Sequence, residues 1–360
     1  MADIHIPDLL LHNILTRLPA KSLLRFRCVS THWNHLISDP YFLKSRSRPM
    51  ILLPKPPDQL YALNKLPVDD DAPLVVNLLD PPLEYHRFTI VGTFNGIVLL
   101  VLTNFSFVKK MVLYNPFTSV SKILPIPPWA RRQHSDDIYG FGYGATPDDL
   151  KIIIGRGKLY SSDYDSNRNW NNCDVYSLKT GSWSTLENIL PSLTYKDDVG
   201  VFLNGFLYWV YISFVGGVKE NLVALDVEEM VASTMHMPNQ YFHLSSALGI
   251  LHGRLCTIKD IVLGNGFDVW VMKEQGVENS WSKEFSVRLA FEDVYGLLQT
   301  VCILEDGRIV VIDRLQRFII CDPSKGTYKR IKGFTSPEII FKKGVQYIES
   351  LVSPSDIWVV

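Results

Sequence analysis

No stretch of these 360 residues reaches the roughly 20 consecutive apolar positions that a membrane-spanning helix requires, so no membrane association is expected. Net charge is also missing. Lysines and arginines number 36 against 37 aspartates and glutamates, which leaves out the broad positive field that gathers nucleic acid or anionic lipid. Cysteine is scarce: Cys28, Cys173, Cys256, Cys302 and Cys321 stand far apart with no Cys-x-x-Cys pair. That excludes a zinc ribbon or dithiol redox centre and leaves buried, reduced core residues as the expectation.

Motifs for small-molecule chemistry are equally absent. There is no G-x-x-x-x-G-K-[ST] phosphate loop, and Gly140-Phe141-Gly142-Tyr143-Gly144 falls in an expected strand rather than at a strand-to-helix turn. His32 and His35 are three apart on a helix, yet no cysteine or carboxylate cluster completes a metal site around them. The run Asp69–Asp71 and the stretch 163–172 lack the spaced ligands and glycine of a calcium loop. Carboxylates such as Asp136, Asp137, Asp148 and Asp149 form no recognisable acid–base pair, and no nucleophile motif accompanies them. The expectation is a protein without metal or cofactor that is not an enzyme. Asp3 and Asp8 stand where a secretory leader would carry basic residues, which points to the cytoplasm and/or nucleus.

What is present begins with apolar residues, 47% of the chain, ample for a large core. Residues 8–46 read as short helices. Asp8 is the expected N-cap of the first, whose Leu11, Ile14, Leu15 and Leu18 form one stripe before Pro19 stops it. The second, Ala20 to Cys28, is apolar nearly all round, with Leu23, Leu24, Phe26 and Cys28 pointing to several sides. Ser30 is placed to cap a third, carrying Trp33, Leu36 and Ile37, and Asp39-Pro40 introduces a last turn. A unit this small cannot bury two apolar faces by itself, so a covering partner is expected. Residues 1–50 carry a net charge of +4, which suits an acidic one.

Residues 49–89 are rich in proline and acidic residues and read as a linker merging into the first strands. From residue 90 the pattern changes to short Val, Ile, Phe and Tyr runs separated by turn signals. Two themes recur. One is a glycine hairpin, at Asn95-Gly96, Asn204-Gly205, His252-Gly253 and Asp306-Gly307. The other is a strand, polar turn and strand beginning at 113, 175, 224, 269 and 319, with spacings of 62, 49, 45 and 50 residues. That period is the length of a propeller blade. The fold expected is mainly β with an N-terminal α-helical motif: a propeller of about six blades, closed by its first and last segments, with a twisted sandwich as runner-up.

The residues also carry a family resemblance. Ile6-Pro7-Asp8-Leu9-Leu10, Ile14 through Ser30 and Trp33 resemble an F-box. Gly140-Phe141-Gly142-Tyr143, Val175-Tyr176-Ser177-Leu178 with Trp183, Leu203–Trp209, Trp270-Val271-Met272 and Tyr347–Leu351 resemble the kelch-like F-box-associated domain of plants. The division expected is F-box over 1–48, linker and first strands over 49–89, and F-box-associated propeller over 90–360. The resemblance implies a substrate-recognition subunit of a Skp–cullin–F-box ubiquitin ligase. Its helical motif would bind a Skp-family adaptor and, through it, a cullin. Its propeller would capture an unknown target for ubiquitination and proteasomal degradation. The implied adaptor contacts are Ile6, Pro7, Leu10, Ile14, Leu15, Leu18, Pro19, Leu23, Phe26, Cys28, Val29 and Trp33. Some of these must face the motif's own core, and the sequence leaves open which. Aromatics and arginines in two loops, Trp129, Arg131 and Arg132 in one and Tyr160, Tyr164 and Trp170 in the other, are candidate target contacts. Two alternatives accompany this reading: an F-box module acting outside the cullin ligase, and a propeller lectin or enzyme.

Overall fold

In a propeller each sheet is covered on both faces by its neighbours, so strands within a blade become apolar without alternation. Ile97–Thr103 and Ile309–Ile312 show this, buried at nearly every position. The computed structural model describes residues 7–18, 20–39, 42, 49–55, 59–63, 75–77, 87–103, 109–116, 118–125, 137–156, 158–159, 173–191, 193–241, 247–261, 266–290, 298–315, 317–330 and 343–357. Their strands form six sheets, which are the six blades of one ring.

Blade one joins the two ends of the domain. Its inner strand, Val345–Ile348, pairs antiparallel with Pro49–Lys55, Pro49 opposite Ile348 and Leu52 opposite Val345, and Gln59–Leu63 and Val75–Asn77 complete it. The propeller thus takes in Pro49–Lys55. Blades two to six are built on four-strand meanders whose inner strands are Arg87–Phe94, Asp137–Gly142, Val201–Leu203, Ala247–Leu251 and Gln299–Ile303; the sheet of blade four has six strands, because Lys158–Leu159 and Thr194–Tyr195 add to it. The repeated sequence themes fall at matching places. Glycine hairpins join first to second strand in blades two, four, five and six, and the strands containing 113, 175, 224, 269 and 319 are the third strands of blades two to six. Asn95 and Gly96 both take positive φ (47° and 74°), the geometry a two-residue hairpin needs.

Six apolar clusters lie between consecutive blades, and the last, between blades six and one, contains Ile51, Leu53, Val301 and Val310. Close approach near the axis depends on small residues. A Cβ added to Gly140 of blade three would lie 2.5 Å from Leu207 Cδ1 and 3.0 Å from Trp209 Cζ2 of blade four. Blades four and five share a buried ion cluster: Glu220 accepts from Lys196 Nζ (2.7 Å) and from Lys259 Nζ (2.8 Å). Burial alone would push the Glu220 carboxyl up, but the two ammonium groups outweigh it and hold the carboxyl below its usual range.

The helical motif consists of α1 (Asp8–Leu15), α2 (Ala20–Phe26) and α3 (Thr31–Ser38). Ser30 caps α3 as expected, its Oγ accepting from Trp33 N at 3.1 Å. Asp8 does not cap α1. Pro7 holds the N-cap position, and Asp8, one residue inside, pairs its carboxylate with His32 Nε2 at 3.0 Å. Cys28 also departs from expectation: it is exposed, because it lies in the turn after α2, whereas the other four thiols are buried.

Two measurements test this packing. Gly140→Val should lower stability by about 1–3 kcal/mol through overpacking against Leu207 and Trp209, read as a drop in Tm with circular dichroism of the native state retained. Glu220→Gln removes the acceptor that both lysines share and should cost about 3–5 kcal/mol at pH 7. Because the folded carboxyl sits below its unfolded value, its contribution is present above the unfolded pKa and is lost as pH falls through the folded one. The gap between wild type and variant in denaturant titrations should therefore narrow on acidification; a gap independent of pH would contradict the charge assignment.

Candidate functional site: an outward apolar face on the helical motif

Leu9, Leu10 and Leu11 are consecutive, and at 100° per residue three leucines cannot all face one core. The structure divides them. Leu11 and Leu15, four apart, turn inward and join Leu23 of α2, Ile37 of α3 and Phe42 in the motif's own cluster, with Leu18, Phe26 and Trp33 half-buried beside it. Leu10 and Ile14, also four apart, form the neighbouring stripe and face outward, 55% and 53% exposed; Leu9 is 74% exposed and Val29 60%. His32 bound to Asp8 brings the start of α3, and with it Val29, beside the start of α1. Phe26 and Trp33 meet edge to face, their centroids 5.4 Å apart, which fixes α2 against α3. Four large aliphatic side chains left in water on so small a unit form an exposed apolar patch of the kind found at interaction sites.

The implied adaptor contacts therefore divide into two groups. Pro7, Leu10, Ile14, Cys28 and Val29 are exposed, and Leu18, Phe26 and Trp33 are half-buried. Leu15 and Leu23 are fully buried and shape the motif from inside. Ile6 and Pro19 lie outside the described residues, as do Trp129, Arg131, Arg132, Tyr160, Tyr164 and Trp170. Leu9, within the matched stretch Ile6–Leu10 but not among the implied contacts, is exposed as well.

The motif sits at one end of the ring. After Ile348 the chain leaves blade one and sends Leu351 into the helical cluster. First-to-second-strand turns meet at this same end: a Cβ on Gly96 would overlap Ser350, and a Cβ on Gly307 would touch His252 Nε2. At the opposite mouth stand the other strand ends, including Pro125 and Asp137, which flank the Trp129 segment, and Leu159 and Cys173, which flank the Tyr160 segment. The hairpin between Ser213 and Lys219 also lies there, with Phe214, Val215 and Val218 exposed around Gly216-Gly217. A cavity of about 1020 Å³ follows the axis between the inner strands, bordered at the opposite mouth by Lys196, Asp197, Asp198, Asp313, Arg314 and Lys343.

No catalytic arrangement emerges among the described residues. They contain no group of three or more His, Cys, Asp or Glu side chains able to hold a metal. Burial pushes the Cys173, Cys256 and Cys321 thiols up to about 12, far from the thiolate that nucleophilic chemistry requires. No helix among them is long and apolar enough to cross a membrane.

Comparison with known proteins agrees with both halves. Residues 67–354 match the family described as F-box associated beta propeller domain, and residues 4–45 match the F-box domain. An F-box protein of Arabidopsis thaliana, CPR1, is 29% identical over 309 residues, covering 79% of this chain and 73% of its own. An F-box/kelch-repeat protein of the same plant is 25% identical over 98% of this chain and 97% of its own. Among solved structures, a puromycin hydrolase S511A mutant superposes with a TM-score of 0.44 and 13% identity over 68% of this chain and 39% of that chain, a likeness that carries no argument.

The division into stripes predicts opposite responses from adjacent residues. Leu15→Ala should destabilise the motif by about 2–5 kcal/mol. Ile14→Ala should change stability by no more than about 0.5 kcal/mol. Hydrogen exchange of the α1 amides, compared across the two variants, reads the difference directly.

Proposed function

Because this chain belongs to the F-box proteins that carry an F-box-associated β-propeller, we propose that it is the substrate receptor of a Skp–cullin–F-box ubiquitin ligase. It supplies recognition and no chemistry of its own. The observation that carries the reading is the outward stripe of Leu9, Leu10, Ile14 and Val29 on a motif whose inner stripe is already satisfied. A Skp-family adaptor covers that stripe, with Pro7, Cys28 and the half-buried Leu18, Phe26 and Trp33 at its margin. Exposed Arg17 and Arg25 give the motif a positive rim that favours an acidic adaptor surface.

Burying the four exposed aliphatics contributes roughly 1.5–3 kcal/mol each. That total is comparable to the cost of immobilising two proteins, so loss of even two of them is expected to be decisive. The target docks at the mouth opposite the helical motif, where loops are free of the adaptor and the cullin, and modification leads to its proteasomal degradation. The work is done in the cytoplasm and/or nucleus.

Co-purification of the full chain with plant Skp-type adaptors tests the proposal. Leu10→Ser combined with Ile14→Ser should weaken binding more than about 100-fold while the melting transition of the propeller stays in place. Adaptor binding unchanged by this pair, or absent in the wild type, overturns it. Reconstitution with cullin and a ubiquitin-charged enzyme then separates a working ligase receptor from a module that holds the adaptor alone.

A further inference from the structure

Among the described residues the helical motif meets the ring through the chain itself and through one further contact that is not a covalent linker. One is the segment that runs from Phe42 to Pro49, where the chain enters blade one opposite Ile348. The other is Leu351, the propeller-side member of the motif's buried cluster among the described residues, packed with Leu11, Leu15 and Leu23. A single tether leaves a swivel, because two domains sharing little interface move relative to one another by default. A second anchor removes that freedom.

Leu351 is held out as a peg by what lies on either side of it. Asn115, at the end of the third strand of blade two and fully buried, donates from Nδ2 to Ser350 O (3.0 Å) and to Val352 O (2.8 Å). Those carbonyls flank Leu351. Just upstream, Tyr347 Oη donates to Gly96 O at 3.0 Å, and downstream Ile357 is buried in the core between blades two and three. The strand that closes the ring therefore continues into a segment clamped to blade two, and Leu351 on that segment completes the helical core.

The geometry points to Leu351 as a positioning residue that fixes the orientation of the adaptor-binding face relative to the target-binding mouth of the propeller, with Asn115 holding it in place. The functional value of this rests on the receptor reading above: ubiquitin transfer needs the target held at a set distance from the enzyme that the adaptor and cullin bring. The coupling itself is a property of this chain alone.

Dipolar electron spin resonance on the full chain tests it. With Cys28→Ser as background, spin labels are placed through His35→Cys on α3 and Ser184→Cys on the outer strand of blade three; both sites are exposed, and the remaining cysteines are buried and silent. The parent should give one narrow distance distribution. Leu351→Ala and Asn115→Ala should each broaden it several-fold, and Leu351→Met should restore it. Leu23→Ala, which shrinks the same cluster from inside the motif, should weaken the helices yet leave the distribution narrow. A Leu351→Ala distribution as narrow as the parent's, or equal broadening by Leu23→Ala, overturns the assignment. Adaptor pull-down on the same samples keeps the two ideas apart: a parent that binds no adaptor sinks the receptor reading, while the distance distributions still decide the role of Leu351.

Discussion

A ring of sheets has no edge only if its two chain ends pair, and here four residues at the carboxyl-terminal end, Val345–Ile348, make that pairing with Pro49–Lys55. Every other blade depends on it. Each of the six apolar clusters lies between two blades, so an open ring would expose the faces of blades six and one at the gap. The same strand leads directly into Leu351, so ring closure and completion of the helical core are consequences of a single stretch of backbone. The buried Asn115 clamp joins them by satisfying two carbonyls that closure alone would leave exposed.

The helical motif shows how one short amphipathic unit serves an interior and a surface together. Leu11 and Leu15 belong to its core while Leu10 and Ile14, rotated by one residue, remain in water. Such an arrangement is costly for a solitary protein and sensible for one that spends its working life covered. The propeller presents the contrasting case, with six apolar clusters buried between its blades.

Buried polar groups in the propeller hold structure rather than chemistry. Glu220 with its two lysines ties blade four to blade five, and the raised thiols of Cys173, Cys256 and Cys321 are inert packing.

The propeller repeat was legible in the chain because each hairpin is local: the Asn95-Gly96 and Asn204-Gly205 turns and the third strands repeating at blade period are written within a few residues of one another. That Pro49–Lys55 belongs to the ring was not, because its partner Val345–Ile348 lies at the far end of the sequence. The cap on α3 was readable for the same reason, whereas that of α1 was not, since Asp8 was drawn from its own helix terminus to His32, 24 residues away in sequence. Sequence alone also determined that the first residues carry more apolar side chains than they can hide. Which of them turn outward was decided only by tertiary packing, because Leu10 and Leu11 are chemically identical and differ only by 100° of rotation about one helix. Nor could any local pattern reveal that Leu351 belongs to the helical core, more than 300 residues from Leu11, for that contact exists only once the ring has closed.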